Sequence, residues 1–219
     1  MHPQYQSLLD RLTTPSRTPM RLLDLGTCVG QDLRKLLFDG APMESLFGSD
    51  IFPAYESVGQ ALFKDAETFK NRFIAGDLFD QSSESALAQT EGTWDVIVII
   101  MFLHVFNWKD QVKACGRILN LLSTKPGSII IGAQTATTKP GEQNLVPPFV
   151  KPGEHKSVFR QSRETFTQMW EGAGKDKGIP LKIWAEYEAV QPKVEGGTKE
   201  EKFFTGDEQR RLFFVVERA

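Results

Sequence analysis

Cysteine is scarce in this chain, with two residues, Cys28 and Cys115, in 219. Neither stands in a paired motif with metal-ligand spacing, so no disulfide framework, structural zinc site or other metal centre is expected, and a reducing compartment is. Long apolar runs are missing as well. None approaches the length of a membrane-spanning helix, and the start, Met1-His2-Pro3-Gln4-Tyr5, lacks the basic region and apolar stretch of a signal peptide. Nor is there an excess of charge of one sign, since 26 Lys and Arg face 28 Asp and Glu for a formal net charge of −2. A balanced chain gives no electrostatic reason to expect nucleic acid or an anionic membrane as partner. Cytoplasm is the expected setting.

What is present is enough for one large domain over 1–219, short of two, with 40% hydrophobic residues and no internal repeat. Apolar runs alternate with helical patterns, the signature of a parallel sheet with helices on both faces. Strands are expected at Met20 to Leu25, Ser45 to Asp50, Arg72 to Ala75, Trp94 to Met101, Ser128 to Gly132, Leu181 to Val190 and Arg211 to Glu217. The fourth, WDVIVIIM, is apolar on consecutive positions, as a strand buried on both faces must be. Helices are expected at Gln31 to Asp39, Tyr55 to Phe63, Trp108 to Leu122 and Arg163 to Gly172. A Pro- and Gly-rich connection runs through residues 135–160 as a lid-like loop, and 191–207 reads as a solvated, mobile excursion. No clear helix joins the last two strands, so the final hairpin is antiparallel. The fold class is α/β, Rossmann-like: seven strands, mostly parallel, with an antiparallel last strand.

The first strand ends in Asp24-Leu25-Gly26 and is followed by Thr27-Cys28-Val29-Gly30 and a helix. Gly26 and Gly30 allow the positive φ and close backbone approach a tight turn needs. The helix then aims its free N–H groups and positive dipole end into the crevice at the strand ends, where ligands sit in open α/β sheets. A dinucleotide fingerprint requires G-x-G-x-x-G, and here the middle glycine is replaced by Cys28 and the third comes too early. The pattern is instead that of an S-adenosylmethionine loop, acidic-x-Gly-x-Gly-x-Gly, save at Cys28. Asp24 would order the loop or contact the methionine amino group, with Thr27 beside it.

Two more acidic residues close strands. Asp50 ends the second, followed by Ile51, and suits bidentate hydrogen bonds from two ribose hydroxyls. Asp77 follows the third, with Leu78 and Phe79 placed to flank an adenine, and Met101 ends the fourth at the same edge. Either Asp alone is an ordinary turn residue. Three carboxylates at successive strand ends together make a nucleoside-type cofactor site.

In the strings LLDLGTCVGQDLRKLLFDGAP, LFGSD, FIAGDLFD, WDVIVIIMFLHVFNW and KPGSIIIGAQ, with HPQY near the start, the chain resembles the fungal class I methyltransferases of secondary-metabolite, meroterpenoid-type pathways. The resemblance covers nearly the whole chain, and that family tolerates Cys at the position of Cys28. It implies S-adenosyl-L-methionine as cofactor and a small-molecule acceptor. It also implies an N-terminal extension before the HP-x-Y segment, so that residues 1–19 read as the remnant of a cap, and a homodimer is one way to restore cover.

The chemistry expected is O-methyl transfer to a terpenoid or polyketide-like hydroxyl or carboxylate. The sulfonium already activates the methyl group, so the protein mainly positions the partners. His104, just after the fourth strand, is the candidate base, against the reading that it bonds a loop carbonyl or packs under the cofactor. Tyr55, Phe102, Trp108 and Phe159 are the candidate apolar pocket. Arg160 is a surface arginine or a partner for a substrate carboxylate, and His155 an exposed loop residue. The alternative function is a methyltransferase-shaped cyclase or isomerase that no longer transfers methyl. A non-catalytic binding subunit has no positive signal.

Overall fold

The computed structural model describes residues 2–189 and 208–219. Seven strands form one sheet: β1 (Leu22–Leu25), β2 (Leu46–Asp50), β3 (Phe73–Ala75), β4 (Val96–Ile100), β5 (Ile129–Thr137), β8 (Leu181–Tyr187) and β9 (Gln209–Arg218). The order is β3-β2-β1-β4-β5-β9-β8, with β1 to β5 parallel and β9 antiparallel to both its neighbours. The strand order reverses between β1 and β4, and a crevice opens at such a reversal beyond the strand C-termini.

Side-chain alternation along β4 builds two cores. Val96 and Val98 pack with Ile129 and Ile131 of β5 against α1 (Tyr5–Thr13) and α2 (Gln31–Phe38), and α3 (Ala54–Phe63) connects β2 to β3. Ile97 and Ile99 pack on the other face against α4 (Trp108–Leu121) and α5 (Arg163–Lys177), around Trp94, Phe166 and Trp170. This two-sided burial is what the unbroken apolar run of the fourth strand requires. Asn107 caps α4, its side chain accepting from Asp110 N–H, and Ser162 and Thr165 form a capping box on α5.

The chain departs from the sequence expectation in three places. Residues 5–13 form α1, which buries Leu8, Leu9 and Leu12. The expected lid-like loop contains the last part of β5 and a two-stranded hairpin, β6 (Gly141–Asn144) with β7 (Ser157–Arg160). Helix α5 runs one turn further, to Lys177, before Gly178 closes it in the left-handed region. The excursion expected at 191–207 lies outside the described residues. No helix among those described is long and apolar enough to cross a membrane.

Candidate active site

The turn after β1 is fixed by backbone bonds to β2. Gly26 and Thr27 N–H both donate to Ser49 O, at 2.8 and 3.0 Å, and Gly30 N–H donates to Thr27 O at 2.8 Å. Gly26 and Gly30 have φ of 78° and 72°, and a Cβ on Gly26 would stand 2.6 Å from the Phe102 ring. Cys28 adopts φ of 51° without being glycine. Its N–H donates to Asp50 Oδ2 at 3.0 Å, which holds this disfavoured conformation in place. Arg34, from α2, donates to Val29 O and Gly30 O at 2.6 and 3.1 Å and is itself held by Asp65.

Asp24 is buried under this turn and accepts from Thr27 Oγ1 at 2.6 Å. Of the two roles open to it, ordering the loop is the one this bond serves. Burial pushes its carboxyl up to about 7; the Thr27 bond opposes the shift, and the charges of Asp32 and Asp50 add to it.

Above the turn lies a cleft of about 550 Å³, in the range of small-molecule sites. Of the residues singled out from sequence, it brings together Gly26, Asp50, Ile51, Tyr55, Asp77, Leu78, Phe79, Met101 and Phe102. Asp50 Oδ1 also accepts from Phe52 N–H at 3.1 Å, so each carboxylate oxygen has one backbone donor and keeps further acceptor capacity. Asp77 is exposed, and its Oδ1 accepts from Phe79 N–H at 2.9 Å, which turns the chain so that Leu78 and Phe79 both line the cleft. Met101 is a second non-glycine residue with positive φ, 54°, tied through its N–H to Ala133 O at 2.7 Å.

Thr27 and Gly30 stay in the turn beneath. Cys28, Phe52, Val105 and Phe106 line the cleft too, although the sequence did not mark them for it. For Val105 and Phe106 the signal was their place just after the fourth strand, where His104 drew attention instead.

His104 is in a 3-10 turn, Leu103–Val105, and is not among the residues lining the cleft. Its Nδ1 is buried without a hydrogen-bond partner. Burial, with the Arg160 charge adding, pulls its pKa down to about 4. Trp108 and Phe159 pack on one another at 4.9 Å between ring centroids, where α4 meets the β6–β7 hairpin, and neither lines the cleft. Arg160 is buried, not on the surface; Nη1 donates to His104 O at 2.7 Å and Nε to Gln143 Oε1 at 3.3 Å, so it ties β7 to the turn after β4. His155 is exposed. No group of three or more potential metal ligands occurs among the described residues.

Five parallel strands, an antiparallel β9 inserted before β8, and a glycine turn feeding a crevice at the β1/β4 reversal define the class I methyltransferase fold. The chain belongs to the methyltransferase domain family, whose profile matches residues 1–176. It is 36% identical over 182 residues to the O-methyltransferase phiE of a fungal species, covering 83% of this chain and 57% of phiE. It is 34% identical over 193 residues to the methyltransferase adrK of Penicillium rubens, covering 87% of this chain and 66% of adrK. The chain thus spans less than two thirds of the length of these relatives. Among solved structures it is similar to a Haemonchus contortus phosphoethanolamine N-methyltransferase 2, with TM-score 0.63, 14% identity, and coverage of 99% of this chain and 53% of that one. It is also similar to the [4+2]-cyclase SpnF, with TM-score 0.61, 14% identity and coverage of 99% and 81%.

Proposed function

We propose that this chain carries the S-adenosylmethionine site and the acceptor site of an O-methyltransferase acting on a small secondary metabolite. The observation that carries the proposal is the cleft itself, which gathers Asp50, Asp77, Leu78 and Phe79 from successive strand ends above a glycine turn. The residues present fit the cofactor. Asp50 is held by two backbone N–H groups yet retains acceptor capacity for a ribose diol. Leu78 and Phe79 supply apolar walls for a base, and Asp77 an acceptor at its rim. The missing Cβ at Gly26 leaves the turn flush against Phe102. When bound, the cofactor supplies a methyl group made electrophilic by the sulfonium. The chain's own contribution is to orient the partners and exclude water.

The fungal relatives named O-methyltransferase support an oxygen acceptor. His104, neutral at pH 7 and displaced to about 4, is a weak proton acceptor there. Its place outside the cleft lining favours a packing role, so turnover of a recognised acceptor is expected to persist in His104→Ala.

Calorimetric titration with S-adenosylmethionine, together with mass spectrometry of ligand released from the purified protein, tests the reading. Saturable one-site binding is expected, and its absence would overturn it. The fold is shared with a [4+2]-cyclase, so the second assay is transfer of a labelled methyl group. A chain that binds the cofactor and converts an acceptor without label transfer belongs with the cyclase alternative.

A further inference from the structure

A second chamber, of about 300 Å³, lies on the α1/α2 face of the sheet. Its floor is aliphatic, built from Leu8 of α1, Leu36 of α2, Val98 of β4 and Ile131 of β5. The rim is polar. Two of its groups are already committed, since Tyr5 donates to Asp39 Oδ2 at 2.5 Å and Lys35 pairs with the same carboxylate. His2 accepts from Gln4 N–H at 3.1 Å through Nδ1 and stands edge-on to Phe213, 5.3 Å between centroids.

Asp32 and Arg211 are different. Both line the chamber, and among the described residues neither side chain makes a hydrogen bond or salt bridge. Asp32 is the second residue of α2, set by the turn that Gly30 ends; Arg211 enters from β9, paired in register with Thr135. Burial raises the Asp32 carboxyl pKa and the Arg211 charge opposes that rise, so the two groups feel one another across the space. The Asp32 carboxylate is half-buried, and its oxygens are open to the chamber with acceptor capacity to spare.

The chamber and the cofactor cleft both reach the C-terminal end of β4. Ile100 lines the first and Met101 the second, and neighbouring Cα atoms are about 3.8 Å apart.

We propose that this chamber receives the methyl acceptor, an apolar molecule bearing an acidic hydroxyl of phenol or enol type, whose O–H donates to Asp32 while its oxygen accepts from Arg211. The inference rests on the reading of the cleft as the cofactor site. The chemistry follows from the pair of opposite charges. A carboxylate would set a second anion against Asp32, an ammonium group would meet Arg211, and an acidic hydroxyl offers both a donor and an acceptor that takes on negative charge as its proton is shared. The aliphatic floor takes the rest of the molecule.

The probe is 2-naphthol, with 2-methoxynaphthalene as the analogue that cannot donate, each titrated into the full chain with and without saturating S-adenosylhomocysteine. We expect 2-naphthol to bind alongside S-adenosylhomocysteine and at least about tenfold more tightly than the methyl ether, the scale of a hydrogen bond to a charged group. Asp32→Asn and Arg211→Gln should each erase most of that preference and leave S-adenosylhomocysteine affinity within about twofold. Melting curves for both variants check that they fold. No binding of 2-naphthol, a preference over the methyl ether that either variant keeps undiminished, or competition with S-adenosylhomocysteine would overturn the proposal. Binding of 2-naphthol by a chain that does not take S-adenosylhomocysteine would instead overturn the cofactor reading and leave the chamber as a ligand site.

Discussion

Asp50 and Asp24 are the same residue type at the ends of adjacent strands, and their surroundings give them opposite tasks. Asp50 faces the cleft with two backbone donors on its oxygens. Its replacement by Ala should weaken S-adenosylmethionine binding by about 1.5–3 kcal/mol, the scale for a charged hydrogen-bond partner; calorimetry reads this directly, and an unchanged Kd would remove the ribose role. Asp24 is sealed below, with its folded-state pKa raised to about 7. A carboxyl raised on folding binds more protons in the native state, so its burial costs nothing near pH 4 and progressively more up to pH 7. The stability of Asp24→Asn relative to the parent should therefore rise across that window by on the order of 3–4 kcal/mol. His104 has the opposite sign: its pKa, lowered to about 4, contributes stability that is lost as pH falls from about 6.5 to 4. Urea titrations of parent and variant over pH 4 to 8 separate the two, because the His104 contribution cancels in the difference. A flat difference would mean that Asp24 is not raised. At this scale the sequence was legible where a residue's task depends on its place along a strand. Asp50, Asp77, Leu78 and Phe79 all reach the cleft. It was not legible where packing decides. Trp108 and Phe159 looked like pocket aromatics and turned toward each other, and Arg160 looked exposed and is buried.

The elements followed from periodicity wherever their apolar pattern was long, and escaped it where the pattern was short or polar. Gly141–Asn144 reads GEQN and is mostly exposed, so nothing in it alternates, yet it pairs with Ser157–Arg160. Helix α1 did carry a signal, Leu8, Leu9 and Leu12 on one face, inside a stretch read only as cap remnant. The β6–β7 hairpin is tied to the turn after β4 and to α4 by Phe159 N–H to Phe106 O, Gln111 to Phe159 O and Trp108 N–H to Glu142, and Arg160 adds a charge-assisted bond to His104 O. Arg160→Leu removes a charge-assisted bond to a buried carbonyl, a loss of about 1.5–3 kcal/mol. Amide exchange should speed first at Gly141–Asn144 and Ser157–Arg160, while the β4 and β5 amides keep their protection. A uniform increase across the sheet would show that Arg160 supports the whole fold and not the hairpin.

For the molecule as a whole, the parallel sheet with an antiparallel end was readable from the order of strands, since the sequence shows no helical pattern between the last two of the kind a parallel crossover uses. The chamber between α1, α2 and β9 was not readable, because its lining comes from residues far apart in the chain. Ligand binding at the cleft is a property of the assembled fold and should register as global stabilisation. S-adenosylhomocysteine at a hundred times its Kd adds about 2.7 kcal/mol, which for a chain of this size is a rise of roughly 5–10 °C in Tm. Differential scanning fluorimetry over a concentration series checks it, and a Tm that does not move would contradict specific binding to the native state.

The position of β9 has a consequence for how the molecule is made. It follows β8 in sequence but is an interior strand of the sheet, bonded on one side to β5 and on the other to β8. As the polypeptide leaves the ribosome, β1 to β5 can pair once they have emerged, but β5 then presents a bare row of N–H and C=O groups until β9 arrives. Strand β8, already synthesised, cannot cover it, because its place is one strand further out. The growing chain therefore passes through a stage with a sticky edge in the open, and it is the segment following β8 that ends it.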